Sequence, residues 1–378
     1  MKLTTAGESH GKALVAIIEG LPAHIPVDQE KINAELKLRQ SGFGRGGRQK
    51  IESDQVEILS GVRNGETLGS PVALCIYNRD FASWETVMNA GACDEEEVTK
   101  KALTKVRPGH ADLAGALKYA QTDARNILER ASARETAIRV AAGSVYKQYL
   151  SPLGVEIASY VREICDIKDG GVYAFNELAR AKTSPVGMLD PALEKAAMER
   201  ISALKEAGDT AGGIVEVRVK GLKSGFGSSM RYADKLDARL AGALVSVQAV
   251  KGVEFGLGFE AARRTGKEVH DEIFYRENDG FYRETNRAGG IEGGTSNGEE
   301  IVVRVAMKPI PTLMRGLQTV DLVTKTAATA ASERSDVCAI FAFSIIVESV
   351  VAEVIANAVD KRLGGDTLEQ VKDRYEQL

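Results

Sequence analysis

The sequence predicts an α+β fold, and three observations carry the prediction. Strand-like runs rich in Val and Ile alternate with helical stretches along the whole chain. No Pro-, Ser- or charge-rich stretch divides it, and one late segment is apolar nearly all round. A helix without a polar face must be surrounded by other elements, so helices should pack between sheets. With 378 residues, 44% of them hydrophobic, the chain can bury a large core. Residues 1–378 therefore read as a single domain.

The expected strands are residues 13–18, 56–62, 71–77, 155–161, 213–219 and 300–306, each a short apolar or alternating run bounded by turn residues. Helices are expected at 27–38, where acidic and basic residues lie between Ile32, Leu36 and Leu38, and at the alanine-rich stretches 111–129 and 134–149. The all-apolar segment is 340–358. The pattern Ile18-Glu19-Gly20-Leu21 recurs as Val219-Lys220-Gly221-Leu222, each followed by a glycine-rich loop and a helix, which suggests pseudo-duplicated halves.

Composition narrows the function. With 49 basic and 53 acidic residues the formal charge is -4, which argues against a general nucleic-acid binder. Cys75, Cys93, Cys165 and Cys338 form no C-x-x-C pair, so neither a metal site nor a disulfide framework is expected. The start, Met1-Lys2-Leu3-Thr4-Thr5, has no signal-peptide pattern, and no run reaches the roughly 18 apolar residues of a membrane span. A soluble, cytoplasmic protein with no membrane partner is expected.

Two of the four histidines lie in compact polar, glycine-bearing segments, Gly7-Glu8-Ser9-His10-Gly11 and Arg107-Pro108-Gly109-His110-Ala111-Asp112. Imidazole titrates near neutral pH unaided, so these two read as proton-transfer groups, while His24 and His270 sit in ordinary surface contexts. The stretch 39–48 sets Arg39, Arg45 and Arg48 among glycines. It matches G-x-G-x-x-G at Gly42, Gly44 and Gly47, but without the preceding strand and following helix of a dinucleotide fold. A second near match, Gly256-x-Gly258-x-x-Ala261, lacks a clear acidic partner.

The better reading of the first loop is chemical. Guanidinium forks pair with carboxylate or phosphate, and Arg107, Arg130 and Arg134 add to the set, pointing to a multiply anionic small molecule. Solvated surface salt bridges are the alternative for any one of them taken alone. In the glycine-rich run 288–298, followed by Met307-Lys308-Pro309-Ile310-Pro311-Thr312, a phosphate-holding loop and a wide turn balance. Glu333-Arg334-Ser335-Asp336 precedes the apolar helix, and by sequence alone reads as its cap.

Taken together, these segments resemble the chorismate synthase family, along with Arg130 to Thr136, Gly212-Gly213-Ile214-Val215-Glu216 and Ala249-Val250-Lys251-Gly252. The resemblance spans essentially the whole chain. It implies a β-α-β sandwich with helices between two sheets, a homotetramer, and a reaction. In that reaction 5-enolpyruvylshikimate 3-phosphate loses phosphate and a C6 hydrogen in an anti 1,4-elimination to give chorismate. Reduced FMN is implied without net redox change. A separate flavin reductase is implied as supplier, or a bifunctional enzyme that reduces FMN with NADPH.

By the same resemblance His10 is the general acid at the departing phosphate, His110 lies by the flavin's pyrimidine edge, and Asp336 lies near flavin N5 to help carry off the C6 proton. Ser9 and Ser132 are hydrogen-bonding neighbours. Arg39, Arg45, Arg48, Arg107 and Arg134 are expected on the substrate's phosphate and carboxylates. Arg130, Ala131, Ser132, Gln248, Ala249, Gly293, Lys308, Pro309, Ile310, Pro311, Thr312 and Arg334 are expected on FMN. The chain departs from the family where Ser335 and Val337 replace the His and Pro of Arg-His-Asp-Pro-Cys. Residues 80–104, with Trp84, read equally as a mobile flap or a surface insertion.

Overall fold

The computed structural model describes residues 1–46, 53–277, 280–330 and 335–378. Two antiparallel sheets face each other across a layer of helices. The first contains β1 (Lys2–Ala6), β2 (Ala13–Glu19), β3 (Glu57–Ser60) and β4 (Val72–Tyr77), in the order β1-β2-β4-β3. The second contains β5 (Glu156–Ile164), β6 (Ile167–Lys168), β7 (Gly213–Lys220), β8 (Val250–Phe255) and β9 (Ile301–Met307), in the order β6-β5-β7-β9-β8. β2 and β9 turn alternate residues inward, as Leu14, Ala16 and Ile18 of β2 do, all of them fully buried.

Four helices fill the middle: α1 (Gln29–Gln40), α2 (Thr136–Leu150), α3 (Leu236–Val245) and α4 (Ile340–Leu363). The α1 helix starts where the Asp28 carboxylate accepts from the amides of Glu30 and Lys31 and buries Ile32 and Leu36. The α2 helix packs on β2 and β4, α4 packs on β5 and β7, and the two helices cross each other. At the crossing, a Cβ on Gly143 would lie 2.2 Å from Ser349 Cβ, so only glycine lets the axes approach this closely. The α4 helix is long and apolar enough to cross a membrane, yet 89% of its most apolar stretch is buried inside the molecule. One continuous cluster of buried apolar side chains joins the two sheets and these helices.

The duplicated halves are visible in the topology. The run β1, β2, α1, β3, β4, α2 repeats as β5, β7, α3, β8, β9, α4, and corresponding strands take corresponding places in their sheets. The sequence echo falls on equivalent positions. Gly20 ends β2 at φ 83° and Gly221 follows β7 at φ 85°, each handing the chain to a buried leucine, Leu21 or Leu222. All pairings within the two sheets are antiparallel, so neither glycine motif sits in the parallel βαβ unit of a dinucleotide fold.

Two expectations are corrected. Residues 111–129 are not one helix but two, Asp112–Lys118 and Arg125–Ala131, parted at Ala120, which adopts φ 52°. The Asp123 carboxylate accepts from the amides of Arg125 and Leu103, restarting the helix and tying it to the preceding segment. Residues 134–149 begin as a 3-10 turn, Ala133–Glu135, with the Ser132 hydroxyl accepting from the Arg134 amide before α2 proper.

A buried ion-pair network binds the helical layer. The Lys147 ammonium on α2 lies 2.9 Å from Glu35 of α1 and 2.7 Å from Glu348 of α4, and Lys182 lies 3.3 Å from both carboxylates. The Ser159 hydroxyl of β5 donates to Glu348 at 2.7 Å. Burial alone would push Glu35 up, but the two ammoniums outweigh it and hold the carboxyl at about 2.

Candidate active site

The duplication places most of the candidate residues at equivalent corners, the β1–β2 loop and Gly293 excepted. In the first half they lie on the β1–β2 loop, after α1, after β4 and just before α2. In the second they lie after α3, after β9 and just before α4. The corners interlock. The loop after α1 meets the segment before α4, where the Gly44 carbonyl accepts from Val337 at 2.8 Å. The loop after α3 meets the segment before α2, where Gln248 donates to Glu135 at 3.4 Å.

His10 sits on the β1–β2 loop. Asn78, at the end of β4, clamps that loop by donating to the carbonyls of Glu8 and Gly11. Gly7 enters it at φ 111°, where a Cβ would lie 2.3 Å from the Ala13 carbonyl oxygen. His10 Nδ1 lies 2.8 and 3.0 Å from the two oxygens of Glu129, whose carboxylate also accepts from the His10 amide at 2.8 Å. Glu129 is buried and takes a further bond from Arg125 at 3.1 Å. Burial pushes the Glu129 carboxyl up, yet the bonds from His10 and the charge of Arg125 hold it below the usual range. Trp84 stacks on the imidazole with centroids 4.0 Å apart, and Lys101 and Arg125 lie over the indole. Asp80 Oδ2 is 4.0 Å from His10 Nε2. The Ser132 hydroxyl lies 3.3 Å from that of Ser9.

His110 repeats the arrangement. Its Nδ1 lies 2.5 Å from Asp112, which is fully buried and gripped by two nitrogens of Arg107 at 2.8 and 3.0 Å. Burial works against the Asp112 carboxylate, but His110 and Arg107 overcome it and hold the group far below its ordinary value. Arg107 also donates to the Thr312 hydroxyl at 3.1 Å, and Lys308 donates to the Gly109 carbonyl. The late Lys308–Thr312 segment is thus seated against the His110 loop.

A third cluster gathers the other arginines. Arg134 donates from both terminal nitrogens to Asp54 at 2.6 and 2.7 Å and from Nε to Asn78 at 2.9 Å. Arg39 donates to Thr136 and to the Ala133 carbonyl, with Asp54 at 3.9 Å. Burial pulls the Arg39 guanidinium down to about 9, with Asp54 only partly opposing it. Arg45 Nε lies 3.3 Å from Asp336, which also accepts from the Gly46 amide at 2.6 Å. This corrects the reading of Asp336 as a helix cap: α4 begins at Ile340 without a side-chain cap, because the carboxylate reaches back to the arginine loop. Arg48 and Arg334 lie outside the described residues.

The residues expected on FMN are partly assembled. Arg130, which also donates to the carbonyls of Thr5 and Gly7, lines a cavity of about 330 Å³ together with Gln248, Glu135 and Arg139. The buried Gln248 amide oxygen has no donor among the described residues, an acceptor suited to a ring N–H of a flavin. Ala249 joins Lys308 through a main-chain bond of 2.9 Å, and the Ile310 carbonyl accepts from Thr210. Gly293 turns a short hairpin, Ile291–Glu292 with Thr295–Ser296, where a Cβ would meet only Ser229 at 3.7 Å. Its neighbours Gly289, Gly290 and Gly294 instead lie tight against other chain segments.

Comparison with known proteins decides the family. The profile of the family described as Chorismate synthase matches residues 1–359. The chorismate synthase of Alkaliphilus metalliredigens is 53% identical over 375 residues, covering 99% of this chain and 98% of its own. That of Geobacter sulfurreducens is 52% identical over 390 residues, covering 100% and 98%. A crystal structure of chorismate synthase superposes with a TM-score of 0.79 at 41% identity, covering 100% of this chain and 96% of the other. The chain belongs to the chorismate synthase family.

Within that family frame, the candidate site contains residues that the sequence did not single out. Glu129, Asp54 and Asn78 hold the candidate groups in place, Trp84 of the 80–104 segment stacks on His10, and Asp112 had no role of its own in the His110 motif. Asp112 was reachable from its spacing, two residues past His110. Glu129 and Asp54 had no such signal, since their partners lie 119 and 80 residues away in sequence.

Proposed function

We propose that this protein is a chorismate synthase, a lyase that converts 5-enolpyruvylshikimate 3-phosphate to chorismate and phosphate. The observation that carries the reading is the family match over residues 1–359, which includes both histidine loops. The reaction breaks the C–O bond to phosphate and removes one C6 hydrogen, with no net oxidation. When bound, reduced FMN supplies the electron density that assists phosphate departure.

The chain's own groups supply binding and proton movement. His10, doubly protonated with its Nδ1–H held by Glu129, gives its Nε2 proton to the departing phosphate and is left as the neutral Nδ1–H imidazole. Asp336, beside Arg45, receives the C6 proton, and Ser9 and Ser132 orient the relay. Arg45 and Arg107, with Arg48, hold the substrate's anionic groups. Arg39 and Arg134 contribute positive charge while anchored on Asp54. His110, Lys308 and Thr312 with Arg107, and Arg130 with Ala131, Ser132, Gln248, Ala249, Gly293, Pro309, Ile310, Pro311 and Arg334, make the flavin site. We further propose a single domain over 1–378, a homotetramer, and action in the cytoplasm.

The test is anaerobic turnover of 5-enolpyruvylshikimate 3-phosphate with chemically reduced FMN, following chorismate and phosphate together. Equal release of both, absent with oxidised FMN, is expected. No product despite tight flavin binding would overturn the assignment. Supplying NADPH with oxidised FMN in a second arm tests the bifunctional alternative, in which product forms without a separate flavin reductase.

A further inference from the structure

We infer that Glu129 is a positioning residue for His10: it fixes the imidazole so that Nε2 is the atom offered to the substrate. The inference rests on the reading of His10 as the proton donor. A carboxylate only accepts hydrogen bonds, so the contact at 2.8 Å places a proton on Nδ1. The same carboxylate takes the His10 amide at 2.8 Å, and the Glu129 carbonyl takes the Ser9 amide at 2.9 Å, so one residue sets both the loop and the ring.

The holder is itself held. Arg125, one turn earlier on the same helix, donates to Glu129 at 3.1 Å and lies 4.9 Å from the Trp84 ring centre. Trp84 covers one face of the imidazole with a 27° tilt between the planes, restricting rotation about the ring's own bond. The charged groups around His10 are Glu129 at Nδ1, Asp80 at 4.0 Å from Nε2, and Arg125 and Lys101 across the indole. With Nδ1 engaged and one face covered, Nε2 is the remaining polar edge of the ring. A buried carboxylate orienting a histidine in this way governs turnover, because it keeps Nε2 of the doubly protonated ring aimed at the substrate and leaves a neutral ring with its proton on Nδ1 once the Nε2 proton has gone.

The experiment is Glu129→Gln in the full-length enzyme with reduced FMN. The amide keeps the size and still accepts from the His10 Nδ1–H, but it has no negative charge to set against a doubly protonated ring and can instead donate to a bare Nδ1. Turnover should fall about 10- to 100-fold, with KM for 5-enolpyruvylshikimate 3-phosphate within about 2-fold. The ¹⁵N signals of the His10 ring should show an Nδ1 that stays protonated in the wild type and loses that fixed protonation in the variant. Glu129→Asp, which retains the carboxylate, should restore part of kcat and serves if the glutamine variant folds poorly.

A double-variant cycle separates positioning from general support. In a His10→Gln background, Glu129→Gln should cost no further turnover, whereas an additive loss would show that Glu129 acts structurally and overturn the inference. If His10→Gln alone leaves turnover unchanged, the reading of the site fails. If it lowers turnover heavily while Glu129→Gln leaves turnover unchanged, only this inference fails.

Discussion

At the scale of single residues, the site is built from charges that would be costly if left alone. Asp54 lies between Arg39 and Arg134, all three buried. Asp54→Ala should therefore destabilise the fold by about 3–5 kcal/mol in urea titration, because two guanidiniums lose their buried counter-charge. His10→Ala should cut turnover on the order of 10²- to 10⁴-fold while FMN affinity, read by equilibrium titration, stays near wild type. Unchanged turnover would remove His10 from the chemistry. The histidines were legible in the sequence because their polar, glycine-bearing surroundings set them apart from core residues. Asp54 and Glu129 were not, because a lone acid in sequence looks like surface until the fold brings an arginine or an imidazole to it.

At the scale of elements, helix packing sets the tolerances. Gly143→Ala would ordinarily favour a helix by about 1 kcal/mol. Here the added methyl meets Ser349, so a net loss of about 1–3 kcal/mol is expected, partly recovered by Ser349→Gly. Calorimetry on the single and double variants checks both signs. The Lys147 network makes a pH prediction. Glu35 titrates at about 2 in the folded protein against 4.5 for the free side chain, so its contribution is fully present above about pH 4.5 and fades as pH falls towards 2. Urea midpoints measured across that window should fall, and Glu35→Gln should flatten that part of the slope. β2, β3, β4, β5, β7, β9 and α1 were readable from periodicity, whereas β1, β6 and β8 were not, and the apolar run announced α4. The break at Ala120 was not, because alanine at positive φ leaves no mark in an alanine-rich stretch and only the contacts of Asp123 impose it.

At the scale of the whole molecule, two repeats of one topology share a single core, and most of the candidate residues occupy equivalent corners of both. Since each half's helices bury their faces on the other's, far-UV circular dichroism should show one unfolding transition. Two separated transitions would mean that the halves fold independently. The duplication was faintly legible in Gly20-Leu21 and Gly221-Leu222, because a strand that must turn sharply into a buried leucine constrains both copies alike. Which loops meet was not legible, as it depends on how the halves face each other. The lone indole, 4.0 Å from the imidazole of His10, gives the protein an optical channel of its own. Emission excited at the red edge of the protein band, where tyrosine does not absorb, originates at one place, beside the group proposed to release a proton. Quenching by a protonated neighbour, or its relief when substrate arrives, can thus be watched in real time without attaching any dye.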